Sequence, residues 1–190
     1  MFHVKHFSAL APGLVPGVSH VKHFPAAMPS VRPAVSADVP HLERLRAQMG
    51  PVEAGHFGRC LGRGGCDLLV AEEGSRLLGW CLFNRAPKYR PFQSLRIPEV
   101  QDLAVGPAFR RRGVATALLD HCEAGARAEG RTRIGIGVGL HAGYGAAQAL
   151  YARRGYVPDG AGATYDRAPV EPYALRPLDD HLCLMLVKDL

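Results

Sequence analysis

Val105-Gly-Pro-Ala-Phe-Arg110-Arg111-Arg112-Gly113-Val114-Ala115-Thr116 is the stretch on which the reading of this chain turns. An apolar run ends at Val105, Gly106-Pro107 breaks it, and a helical pattern begins at Val114. Three arginines and a glycine therefore stand at a strand-to-helix junction. The first N–H groups of a helix have no partners inside it, and the helix dipole is positive at that end. Gly113 has no Cβ, so an anion can come close to the backbone there. Ala115 keeps the next turn slim, and the arginines add charge-assisted hydrogen bonds. The stretch reads as an anion site suited to a pyrophosphate. It is not a Walker A loop, since no Gly-Lys-Ser/Thr follows.

The chain around it has 190 residues, with 47% hydrophobic and 21% charged, values of a globular protein with one domain or one domain and a tail. No apolar stretch reaches the length of a transmembrane helix. A net charge of +6 calls for an anionic partner. Residues 1–37 hold Lys5, Lys22 and Arg32 and no acid, so about half of that charge lies at the N-terminus. Five prolines in the same segment make residues 1–29 a flexible extension, followed by a domain over 30–190. The extension repeats Phe2-His-Val-Lys-His-Phe7 at Ser19-His-Val-Lys-His-Phe24. The His-x-x-His units would suit zinc or nickel, a solvated tail explains them as well, and a palindromic coding segment would too. No metal is assigned. Five cysteines without a CxxC pair point to reduced thiols in a cytoplasm.

Along the remainder, the pattern predicts a strand over 30–34, then a helix capped by Ser36 with Leu42, Leu45 and Met49 on one face, stopped at Gly50-Pro51. Residues 51–65 are Gly-rich and ambiguous. A hairpin follows over 67–83, then a loop over 84–95, a strand over 97–105, a helix over 114–129, a strand over 134–140 and a short helix over 144–154. Residues 159–180 read as a loop-rich insertion before a last strand at 182–187. The order is β-α-(α)-β-β-β-α-β-α-β-β, a mixed α/β sandwich. Gly135, Gly137 and Gly139 lie two apart, so they leave one strand face bare while Ile134, Ile136 and Val138 fill the other. Close packing of a helix is expected on that bare face.

Three motifs together resemble the GNAT superfamily of acetyl-CoA-dependent N-acetyltransferases over about residues 30–190. Val105-x-Pro107-x-x-Arg110-x-x-Gly113-Val114-Ala115 is similar to its pyrophosphate loop. Ala147-x-x-Leu150-Tyr151-x-x-x-Gly155-Tyr156 is similar to its second cofactor motif. Glu99-Val-Gln-Asp-Leu-Ala-Val105 is similar to the strand that carries a catalytic carboxylate in many members. Tyr144 departs from the pattern, standing where many members have asparagine. The resemblance implies a mostly antiparallel mixed sheet, splayed between its fourth and fifth strands and flanked by helices. It implies acetyl-CoA as co-substrate, with Leu103, Ala104, Val105, Arg110, Arg111, Arg112, Gly113, Val114, Ala115, Thr116, Tyr144, Ala147 and Tyr151 around it.

Acetyl transfer needs a base, an oxyanion donor and an acid for the departing thiolate. Glu99 is the candidate base and Asp102 the runner-up. Alternation along the strand puts Glu99, Gln101, Leu103 and Val105 on one face and Asp102 on the other. Backbone N–H groups near Leu103–Val105 would hold the oxyanion. Tyr151 is the candidate acid, on one helix face with Tyr144 and Ala147. His121 and His141 have no evident partner. The expected partner is a small-molecule or peptide amine, with no nucleic acid and no membrane; the resemblance also allows a homodimer. A non-catalytic acetyl-CoA-binding regulator is the alternative function.

Overall fold

The computed structural model describes residues 29–50 and 53–190. The N-terminal extension with its His-Val-Lys-His repeat, and the Pro51 stop, lie outside the described residues. The chain runs through β1 (Ser30–Pro33), α1 (Val39–Ala47), α2 (His56–Leu61), β2 (Cys66–Glu73), β3 (Arg76–Asn84), α3 (Arg90–Ser94), β4 (Glu99–Val105), α4 (Val114–Ala128), β5 (Arg133–Gly139), α5 (Gly145–Arg153), β6 (Val157–Tyr165), β7 (Ala168–Pro169) and β8 (Leu182–Asp189). The strands form one sheet in the order β1-β2-β3-β4-β5-β8-β6-β7. Every pairing is antiparallel except β4–β5. That parallel pair holds only at Glu99↔Gly135 and Val100↔Ile136, so the sheet opens between its fourth and fifth strands as expected.

Helices cover both faces. On one side α4 buries Val114, Leu118, Cys122 and Ala126, spaced by one helical turn, against the sheet. Cys122 Sγ lies 3.7 Å from Cys81 Sγ on β3. Glu123 (4% exposed) is the polar pin between α4, α5 and β8. Its carboxylate takes Arg154 Nη2 at 2.9 Å, Lys188 Nζ at 2.7 Å and the Tyr156 hydroxyl at 3.2 Å. Burial pushes its pKa up, but Lys188 and Arg154 outweigh that and hold it below the usual value. The pin fixes α5 and, with it, Tyr151. On the other side α2 places Phe57 edge-on against Trp80, with ring centroids 5.2 Å apart.

Five local expectations change. Ser36 does not cap α1: Ser36–Asp38 form a 3-10 turn, and the Asp38 carboxylate accepts the Val35 N–H at 2.8 Å. Met49 lies beyond the end of α1. The ambiguous 51–65 region contains α2. The 84–95 loop contains α3, started by Pro91 and anchored by buried Phe92. The 159–180 insertion gives up its first part to β6 and β7, leaving an exposed stretch with Tyr173 and Leu175 on its surface. All five cysteines are free and buried. Among the described residues, no helix is long and apolar enough to cross a membrane.

The bare glycine face of β5 is covered by three different groups. A β-carbon at Gly135 would stand 2.1 Å from the Phe92 ring, and one at Gly139 would stand 2.4 Å from the Tyr144 ring. Only the first is the helix packing that the pattern predicts. Between them, Gly137 faces the Arg167 guanidinium.

Candidate active site

The junction at the start of α4 has the form that an anion site requires. Arg111 and Gly113 have φ of 62° and 79°, a left-handed turn that swings the chain into the helix. Gly113 is the N-cap and no side chain caps the helix, so its first N–H groups are left for an outside acceptor. Arg112 donates to Glu73 Oε2 at 2.9 Å. Arg110 and Arg111 are exposed and without an ion pair among the described residues. The cluster of three arginines expected to meet phosphates is therefore two free cations and one engaged by an acid. Val114 is buried, while Ala115 and Thr116 are half-buried.

Beside it, β4 carries a bulge. Leu82 pairs with Gln101 and Trp80 with Ala104, so Asp102 and Leu103 together oppose Cys81. Asp102 has a φ of 47°, a conformation that aspartate tolerates better than most residues. A bulge leaves its extra residue unpaired and re-aims side chains. This overturns the strict alternation expected for the strand. Asp102 does not point away from the Glu99 face; it sits with Trp80 and α2, on the side where Glu99 and Gln101 lie. Its Oδ2 accepts the Trp80 indole N–H at 3.1 Å and pairs with His56 Nε2 at 3.0 Å.

An opening of about 210 Å³ lies where β4 and β5 part. Its walls come from both sides of the sheet. Val100, Ile136 and Tyr151 contribute from the α4 and α5 side; Asp102, Arg167 and Asp180 contribute from the other. Leu103, Gly137, Gly139, Tyr144 and Cys183 complete it. The opening is lined from both faces of the sheet, with three charged groups on the face away from α4.

Of the expected site residues, Leu103, Tyr144 and Tyr151 line the opening. Ala104, Val105 and Ala147 are half-buried and packed against the core beside it. Glu99 is fully buried and does not line it. Its Oε2 accepts the Gln101 amide at 2.8 Å, and Arg167 Nη2 stands 2.8 Å from Oε1. Burial pushes the Glu99 carboxyl up in pKa, while Arg167 and Gln101 pull it back. Tyr151 is 4% exposed, and its hydroxyl has no protein partner among the described residues. Burial raises its pKa, so the phenol keeps its proton at neutral pH. Tyr144 donates to Asp180 Oδ1 at 3.0 Å; burial, then that bond, push its pKa up to about 12. His141, expected to stand alone, also reaches Asp180 Oδ1 at 2.9 Å. His56 and Arg167 were not among the expected site residues. Each joins the site through a partner distant in sequence, so no local spacing marks it.

Residues 38–156 match the sequence model of the acetyltransferase (GNAT) family, and the chain belongs to that family. No curated protein matches the sequence. Among solved structures, the chain is similar to the ribosomal-protein-alanine N-acetyltransferase of Brucella melitensis. Identity is 21% and the TM-score 0.62, covering 85% of this chain and 99% of that one. It is also similar to the ribosomal-protein-S18-alanine N-acetyltransferase of Escherichia coli, at 15% identity, TM-score 0.62 and coverage of 85% and 94%. A GNAT family acetyltransferase of Elizabethkingia anophelis, with acetyl-CoA bound, aligns at 14% identity and TM-score 0.57, covering 86% and 99%. These likenesses establish the fold: a single mostly antiparallel sheet with one parallel pair, flanked by helices.

Proposed function

We propose that this acetyltransferase moves the acetyl group of acetyl-CoA to a primary amine by direct transfer in a ternary complex. The observation that carries the reading is the opening between β4 and β5, lined by the carboxylates of Asp102 and Asp180, together with the uncapped, arginine-flanked helix start that follows β4. The free N–H groups of Val114, Ala115 and Thr116, with Gly113 at the cap, fit a pyrophosphate. Arg110 and Arg111 supply the remaining positive charge. The bound cofactor brings the activated acetyl thioester; everything else is done by this chain.

The edge at Leu103–Val105, which the splay leaves unpaired, would hold the pantetheine arm between β4 and β5. Tyr144 and Ala147 flank it. The amine enters from the opposite face and gives its proton to a carboxylate. Asp102, which lines the opening, receives it first, and its bond to His56 passes the charge toward solvent. Glu99, the carboxylate expected from the sequence, is held behind Arg167 and takes no proton directly; its charge holds Arg167 and the Gln101 amide in place. The amine nitrogen attacks the thioester carbon, and backbone N–H groups at Leu103–Val105 steady the oxyanion; one such donor is worth about 10²–10³ in rate. The C–S bond then breaks, the Tyr151 hydroxyl gives its proton to the departing sulfur, and the second proton of the former amine nitrogen restores the phenol.

The structural neighbours from Brucella melitensis and Escherichia coli, by name, acetylate ribosomal-protein alanine. A primary α-amine is the corresponding acceptor here. Release of CoA thiol from acetyl-CoA, measured with and without added amines, tests the reading. Amine-dependent release supports it; acetyl-CoA binding without release supports the non-catalytic regulator instead.

A further inference from the structure

Arg167 is the cation lining the opening, and the transfer mechanism leaves it unused. It sits on a two-residue turn between β6 and β7: Tyr165 pairs with Ala168, and Asp166 and Arg167 have φ of 51° and 69°. Both central residues are left-handed, the geometry of a tight hairpin turn. The turn sends the Arg167 side chain inward over Gly137, which it meets at ordinary van der Waals distance, beyond the nearer Met185 Sδ. A β-carbon at 137 would lie 3.6 Å from both Cζ and Nη1. The side chain is 26% exposed.

Its hydrogen bonding is incomplete. Nη2 is close to Glu99 Oε1 but not aligned with it. Arg167 Nε and Glu99 Oε1 are both buried without an aligned partner among the described residues. A buried guanidinium donor without an acceptor is costly, so native structures rarely leave one. The charge pattern around it is that of a site for a zwitterion. Asp102 uses only Oδ2 on Trp80 and His56, and Asp180 uses only Oδ1 on Tyr144 and His141. Each keeps its other oxygen for an amine. Arg167 lines the same small opening and is the one cation among its lining residues, within the described part of the chain.

Resting on the transfer reading above, we propose that Arg167 binds a carboxylate on the acceptor, so that the acceptor is a free α-amino acid. The amine would lie toward Asp102 and the carboxylate on the Arg167 fork. Guanidinium forks bind carboxylates through paired bonds that a lysine ammonium cannot reproduce. Amine and carboxylate must be close together, because one small opening holds both of their partners. A peptide N-terminus lacks the carboxylate and would leave Arg167 with only Glu99 beside it and its Nε without an acceptor.

The test is a thiol-release assay on the full chain with acetyl-CoA. Each of the standard amino acids is compared with its amide, its decarboxylated amine and a peptide that begins with it. At least one amino acid is turned over, with kcat/KM at least roughly tenfold above its three analogues. Arg167→Lys raises KM for that amino acid by roughly tenfold to a hundredfold, as expected for the loss of hydrogen bonds to a charged group. It leaves kcat within about threefold and abolishes the preference over the amide. The pair Glu99→Gln with Arg167→Gln removes both buried charges at once, which guards against a folding defect, and gives the same loss of preference. Equal use of the amide or the peptide overturns the proposal. So does an unchanged KM in Arg167→Lys, or the absence of turnover with every amino acid. Failure of the wild-type chain to bind acetyl-CoA, read by calorimetry, sinks the transfer reading itself and is distinct from all of these.

Discussion

Tyr151→Phe removes one oxygen atom from the wall of the opening. The ring is 4% exposed and packs near Tyr156, with centroids 6.0 Å apart, and phenylalanine keeps that packing. The hydroxyl has no protein hydrogen bond among the described residues, so its loss strands no buried partner. Stability should change by less than about 0.5 kcal/mol, which for a chain of this length is a Tm shift of about 2 °C or less. The kinetic effect is expected to be far larger. Burial keeps the phenol protonated, and a positioned acid contributes about 10²–10⁴ in rate, or about 2.7–5.4 kcal/mol of barrier. The assay is steady-state thiol release with acetyl-CoA and a turned-over amine, alongside thermal unfolding and calorimetric binding of acetyl-CoA. The expected result is a kcat lower by about 10²–10⁴ with binding of acetyl-CoA unchanged. A kcat within about threefold of wild type would refute the acid role. A loss of activity matched by a Tm drop of about 5 °C or more would make Tyr151 a packing residue.

Other perturbations test other links. Replacing Arg110 and Arg111 together by alanine should weaken acetyl-CoA binding by about tenfold or more, since hydrogen bonds to charged groups are worth about 1.5–3 kcal/mol; calorimetry reads it, and Arg112→Ala, already tied to Glu73, should do less. Gly135→Ala drives a methyl group to 2.1 Å from the buried Phe92 ring and should cost about 1–3 kcal/mol in urea unfolding, while Gly145→Ala, in open space, should cost nothing. Asp38 is held below the usual carboxylate value by its bond to Arg32, outweighing the upward push of burial. Its contribution to stability should be complete above about pH 4 and fade as pH falls through its lowered folded value. Asp38→Asn should therefore flatten the acid limb of the unfolding curve.

The three motif stretches could be read because each is local. The glycine, arginines and apolar spacing at 105–118 encode a strand, a turn and a helix within a dozen residues. The 3.6-residue spacing of Val114, Leu118 and Cys122 leaves little freedom over which face is buried. The bulge at Asp102 could not be read, since one residue in a left-handed conformation leaves no mark on an apolar run, and strict alternation then misassigned its face. Short α2 and α3 were hidden by Gly-rich and Pro-containing surroundings. β6 was hidden because Gly160 and Gly162, both at positive φ, interrupt its pattern. The pairs His56–Asp102, Arg167–Glu99 and His141–Asp180 join segments far apart in the chain. Only the folded sheet brings them to one opening.

Loss of one cation on Glu123 would separate the two halves of the site. Arg154→Met leaves part of a buried carboxylate unpaired, which commonly costs about 3–5 kcal/mol. It should loosen α5, so Tyr151 loses its position while the α4 anion site stays. Acetyl-CoA binding should persist and kcat should fall. Equal loss of both, in protein shown to be folded by circular dichroism, would contradict the view that α4 and α5 hold separate parts of the site.

In the proposed reaction the opening between β4 and β5 brings acetyl-CoA from one face of the sheet to an amine from the other. Purified chain, acetyl-CoA and a mixture of primary amines, followed by mass spectrometry of the amines and by thiol release, tests it most directly. One amine should gain the mass of a single acetyl group, in step with the CoA released. Tight acetyl-CoA binding with no acetylated amine and no amine-dependent thiol release would contradict it.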